Sequence, residues 1–229
     1  MRPEVLSQIN SDKRLAKWTG WLWNHIGPEI HSLHVNREMW LGTQQIIAAN
    51  PTLPRSYWWQ FMSDTYGTML AVALRRQVEA KDGVITLGRL VLEISNTPTH
   101  LSRDYYLTRY GTDDTRLPWA RQHWAEEFAG DVGDHLDPKI PVADLERMTN
   151  AVARVKAVAD RHLAHRDRRA VPADSVAALG EAHDAIDVIG SIYRRYMCLM
   201  TGVENAVLLP PFDHDWQAVF RQPWIDPSA

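Results

Sequence analysis

The chain has 229 residues, 45% of them hydrophobic and 23% charged, enough for one substantial core and too order-promoting for a disordered protein. Lys plus Arg number 25 and Asp plus Glu 28, a formal charge of −3, so a protein that coats itself in polyanion is excluded and any nucleic-acid contact has to be local. The single Cys198 allows neither an internal disulfide nor a cysteine zinc site, which points to a reducing, cytoplasmic setting. Residues 1–30 lack the apolar block of a signal peptide, and no stretch approaches the ~18 apolar residues of a membrane span.

Glycine and proline fall mainly between long stretches of helical periodicity, and alternating Val/Ile/Thr/Tyr runs are absent, which predicts an all-α fold. A first helix is expected from Ser11 as N-cap to about Ile26, where Gly27-Pro28 interrupts it. Pro28 suits the first turn of a second helix reaching about Asn50, and Pro51 and Pro54 enforce the break after it. The third begins at Ser56 and puts Met62, Tyr66, Met69 and Ala73 on one face; a charged cluster from Arg75 to Asp82 follows before Gly83. Thr86 caps a shorter helix through Ile94, with Leu87, Leu90, Val91 and Ile94 as its apolar face. The pattern then loosens. One short helix is expected around Tyr105, Tyr106 and Tyr110 and another from Pro118 to about Ala129, before a turn-rich connection marked by Gly130, Gly133, Pro138 and Pro141.

Two strong helices come next. Residues 142–165 carry the stripe Leu145, Met148, Val152, Val155, Ala159 and Leu163. After Pro172 and a cap at Asp174, a second stripe runs Val176, Leu179, His183, Ile186, Gly190, Tyr193, Met197, Met200 to about residue 201. Their periodicity and short connection predict an antiparallel pair within a helical bundle spanning residues 1–201. Residues 202–229 hold four acidic residues, four prolines and one arginine, and read as an irregular tail packed on the bundle, with a turn of helix near Asp215–Arg221 and Trp216, Phe220 and Trp224 as anchors. Among ten tryptophans, Trp18, Trp21 and Trp23 or Trp58-Trp59 fit base-stacking platforms, but the helical spacing of Trp18 with Leu22 and of Trp59 with Met62 favours core or subunit interface.

Residues 154–169 concentrate six basic residues against two acidic ones, a local +4 in a chain of −3. If the helix persists to His165, Arg161 lies one turn before it on the same face, with His162 beside them. An imidazole moves protons at cellular pH and a guanidinium grips phosphate oxygens, so the pair suits metal-free RNA cleavage: the 2′-hydroxyl attacks phosphorus, histidine relays protons and arginine offsets the growing charge. On chemistry alone the same residues fit better a helix C-terminus, where the macrodipole favours each cation by roughly 0.3–1 kcal/mol.

The run His162-Leu163-Ala164-His165-Arg166-Asp167 resembles the AHRD signature of HEPN domains, specifically the AbiU2-like branch associated with bacterial abortive-infection systems. Ala73-Leu74-Arg75-Arg76, leading through Asp82 and Gly83 into Thr86-Leu87-Gly88-Arg89-Leu90, is similar to that family's helix ending and the helix start after it; the resemblance spans roughly residues 11–201. It implies an all-α bundle that forms a homodimer through the motif helix, so that two R-x(4–6)-H motifs build one composite ribonuclease site. His165 then matches the family histidine as general acid/base, with Arg161 as phosphate clamp and Asp167 as the group that orients the histidine or a basic partner. Arg154, Lys156, His162, Arg166, Arg168 and Arg169 become RNA contacts. The family arginine's position, however, is Ala159, followed by Asp160. Two readings stay open: Arg161 replaces the missing group, or the site is inactive and the fold serves binding or assembly, for instance with an antitoxin or defence-system partner.

Other chemistry is poorly represented. His25 with Glu29 and His31 with His34 share helical faces, but no Glu-x-x-His pair of the dimetal type occurs, so neither a metal nor another cofactor is expected. His183 reads as a core histidine with one hydrogen-bond partner that could face the motif helix, Gly190 as a point of close helix approach, and Cys198 as buried in a long helix. Nucleophile-elbow and phosphate-loop sequences are absent.

Overall fold

Every regular element among the described residues of the computed structural model (3–52, 56–112, 115–130, 133–158, 175–204 and 206–221) is helical. The α-helices are α1 (Pro3–Trp21), α2 (Gly27–Ala49), α3 (Tyr57–Gln77), α4 (Leu87–Asn96), α5 (Arg103–Thr108), α6 (Leu117–Glu127), α7 (Lys139–Val158) and α8 (Ser175–Thr201). A π-helical turn, Leu22–Ile26, joins α1 to α2, and 3-10 turns occur at Pro98–His100 and Trp216–Arg221.

Gly27-Pro28 does not end the first helix. Pro28 cannot donate to the fourth residue back, and its ring would collide with that carbonyl in α geometry. The chain instead widens by one residue, Gly27 N–H bonding Leu22 O, and continues as α2. The continuation buries Leu22, Ile26, Ile30 and Leu33 along one stripe. Gly27 also admits Tyr193 of α8, whose hydroxyl would sit 2.6 Å from a Cβ at that position. Nor does Ser11 cap α1, which already runs from Pro3; the Ser11 hydroxyl bonds His100 Nδ1 at 3.0 Å. Pro3 suits a first turn, and no breaker lies between it and Ser11.

Helix α4 has the expected cap and face: Thr86 Oγ1 accepts from Arg89 N–H at 3.0 Å, and Leu87, Leu90, Val91 and Ile94 are fully buried. The buried face of α3 is rotated from the expected stripe. It holds Tyr66, Leu70, Ala71, Leu74 and Gln77, leaving Met69 and Ala73 at its margin. Helix α7 starts at Lys139, before residue 142, because Asp137 Oδ1 accepts from Lys139 N–H at 2.8 Å and Pro141 falls within the first turn, where its missing donor costs nothing.

Helix α8 is the centre of the molecule. It packs on α1, α2, α3, α5 and α7, and its run Tyr196–Met200 is buried on all sides. Helices α7 and α8 are antiparallel: Asp144, near the start of α7, meets Arg195 and Tyr196 near the end of α8, while Arg154 near the end of α7 pairs with Glu181 near the start of α8. Gly190 allows the close approach expected of it, since a Cβ there would lie 2.7 Å from Leu208 and 2.8 Å from His34 Nε2.

The tail beyond α8 buries Ala206 and Leu208 and lays Trp216 over Gly42 of α2, whereas Phe220 is 40% exposed and packs on Trp216; Trp224 lies outside the described residues. Trp18 and Trp124 are core residues, and Trp23 and Trp58 are half exposed. No helix among the described residues is long and apolar enough to cross a membrane.

Candidate functional site

The last turns of α7 carry the start of the basic stretch. Arg154 and Lys156 are exposed there, and Arg154 is paired with the Glu181 carboxylate. A hydrogen bond from Lys81, reinforced by the fields of Arg75 and Lys156, holds the Glu79 carboxyl below its usual range, so cations from the end of α3, the following loop and α7 share one electrostatic neighbourhood. Arg161, His162, His165, Arg166, Asp167, Arg168 and Arg169 lie outside the described residues, as do Ala159, Asp160, Leu163 and the cap at Asp174. The structure therefore places Arg154 against Glu181 of α8, and Lys156 near Glu79, at the end of the bundle where α7 stops and α8 begins.

Protein-family models, curated proteins and solved structures give no match to this chain.

The first half of α8 is clamped at His183 and Asp187 by a polar cluster whose members His34 and His183 the sequence singled out only separately. Arg37 of α2 donates from Nη1 to Asp187 Oδ1 at 2.7 Å and to the His183 carbonyl at 3.1 Å. Its Nη2 lies 3.2 Å from His34 Nδ1. A guanidinium only donates, so His34 Nδ1 is the acceptor and the ring is neutral. Burial, followed by the Arg37 charge, pulls His34 down to about 4, and its buried Nε2 has no partner among the described residues. His183 faces Tyr66 of α3, with Nε2 2.8 Å from the phenol oxygen, and Tyr66 stacks on Trp40 at 4.6 Å. Burial, then Arg37, also lowers His183. It has the expected single side-chain partner, on α3 in place of the motif helix, but is half-buried at the margin of the core and not within it.

Apart from His34 Nε2, these groups satisfy one another. Arg37 neutralises Asp187, the histidines are held uncharged, and Tyr66 is raised above the ordinary phenol range by burial. The cluster accordingly fixes α8 against α2 and α3 and offers no spare cation. Its sequence signals were slight: His34 and Arg37 are three apart and His183 and Asp187 four apart, but 146 residues separate Arg37 from His183. Among the described residues no three His, Cys, Asp or Glu side chains converge as metal ligands.

Proposed function

We propose that this chain is an HEPN-like RNA-engaging protein, working as a homodimer in a defence or toxin–antitoxin setting, with His165 and Arg161 as the core of a metal-independent endoribonuclease site. The observation that supports this reading is the antiparallel α7–α8 pair, which gathers the exposed Lys156 and the two ends of the basic connecting stretch at one end of an all-α bundle. His165 takes the proton of a ribose 2′-hydroxyl as its oxygen attacks phosphorus, and an imidazolium returns a proton to the departing 5′-oxygen. Arg161 balances the charge on the phosphoryl oxygens. The products are a 2′,3′-cyclic phosphate and a 5′-hydroxyl.

The test is cleavage of labelled RNA in the presence of a chelator by the wild-type protein, His165→Ala and Arg161→Ala. The expected result is cyclic-phosphate ends that both substitutions abolish. Ala159 at the family arginine's position favours a second reading, an inactive module for RNA binding or protein assembly. That reading predicts no cleavage by any variant. If RNA still binds, contacts from about four basic groups give a log–log salt slope of about −3 on single strands, whereas protein assembly is nearly salt-independent.

A further inference from the structure

The end of α8 away from the Arg154–Glu181 pair borders α5 and α6, and a cleft of about 370 Å³, open to solvent, lies there. Trp119 and His123, one turn apart on α6, line it with rings stacked 4.6 Å apart at 16°, and Trp119 remains 40% exposed. His123 is set from behind: its Nδ1 is 2.8 Å from the fully buried Tyr106 hydroxyl, which is in turn 2.8 Å from the Tyr110 hydroxyl. Nε2 is then the nitrogen left for a ligand.

Helix α8 contributes Arg194 and Arg195. Arg195 is committed to Asp144 at 2.6 Å, but Arg194 uses only Nε, donating to the Ala206 carbonyl at 3.2 Å. Its two terminal nitrogens have no partner among the described residues. The Glu127 carboxylate on the same lining also has no ion-pair partner among the described residues, whereas Glu204 is engaged by Arg116. The cleft therefore presents an open aromatic surface, an open guanidinium fork, an imidazole nitrogen and an open carboxylate. A bare anion would leave Trp119 unused and meet repulsion from Glu127; an uncharged aromatic would leave Arg194 unused.

We propose that this cleft binds a nucleoside monophosphate whose base carries an exocyclic amino group. The base lies against Trp119, the phosphate takes the Arg194 terminal nitrogens and His123 Nε2, and Glu127 accepts from the amino group. No residue of 154–169 takes part, so the site stands or falls independently of the RNA reading.

Isothermal titration of the full chain with adenosine monophosphate, inosine monophosphate, adenosine and inorganic phosphate tests it. Adenosine monophosphate is expected to bind at least about tenfold more tightly than adenosine or phosphate. Arg194→Ala should erase the advantage over adenosine, and Glu127→Ala the advantage over inosine monophosphate. Trp119→Ala should weaken both adenine ligands about tenfold or more. Arg194 and Glu127 are exposed, so their variants keep the test valid if Trp119→Ala fails to fold. Absence of binding, affinity for adenosine monophosphate no greater than for phosphate, or indifference to Arg194→Ala overturns the proposal.

Discussion

Removal of the Asp144 carboxylate is the sharpest test of how the α7–α8 pair is held. Its side chain is 3% exposed and accepts from Arg195 Nη1 at 2.6 Å and from the Tyr196 hydroxyl at 3.2 Å. Burial, together with the neighbouring carboxylate, raises Tyr196 well above the ordinary phenol range, so its hydroxyl stays a donor. In Asp144→Ala that buried donor loses its partner, a cost of about 1–3 kcal/mol. The Arg195 side chain is 30% exposed, so water recovers part of the lost ion pair and roughly 1 kcal/mol remains. The total is about 2–4 kcal/mol. Asp144→Asn keeps an acceptor for Tyr196 and should cost only about 1–2 kcal/mol. Urea unfolding followed by circular dichroism measures both, with an unchanged m-value as the two-state check. A cycle with Tyr196→Phe should give a coupling of about 1–2 kcal/mol. A loss below about 1 kcal/mol for Asp144→Ala, the range of exposed pairs such as Arg103–Asp134, would show that the contact does not lock the helices.

Neutral His34 makes stability pH-dependent. Its folded value of about 4 lies below the ordinary 6.5, so between these values the unfolded chain binds a proton that the folded one refuses. Stability contributed by this residue is complete above pH 6.5 and falls by up to about 3 kcal/mol as the pH drops to 4, a loss that His34→Gln should remove in parallel urea titrations. Gly190→Ala pushes a methyl group into Leu208 and His34 and should cost about 1–3 kcal/mol, whereas Gly67→Ala, with nothing within 4 Å, should stabilise α3 by up to about 1 kcal/mol; thermal melts of the pair distinguish crowding from helix propensity. Thr86→Ala removes the α4 cap and should cost about 1–2 kcal/mol by urea midpoint, and Thr86→Ser should recover most of it.

Local signals carried those elements whose cause is local. Thr86 followed by Leu87, Leu90, Val91 and Ile94 contains both the start of α4 and its buried face, and the alternation from Ile186 to Met200 is enough to define a long core helix. The start of α1 and the passage through Gly27-Pro28 were not readable in this way. A serine and a Gly-Pro pair are ordinary stop and start signals; they yield here because a continuous helix buries Leu22, Ile26, Ile30 and Leu33 together, and a π turn accommodates the proline. The rotated face of α3 has a similar origin, since its contacts with α7 and α8 select Leu70 and Leu74 over Met69 and Ala73.

The candidate site divides along the same line. The basic run and the helical character of α7 up to Val158 are properties of neighbouring residues and were visible in the amino-acid order. The Arg37 clamp, the Asp144 lock and the Trp119–His123–Arg194 cleft each join side chains dozens of residues apart. A hydrogen bond depends on where donor and acceptor meet in space, and helical periodicity specifies which way a side chain faces but not what it faces. Packing around α8 supplied those meetings.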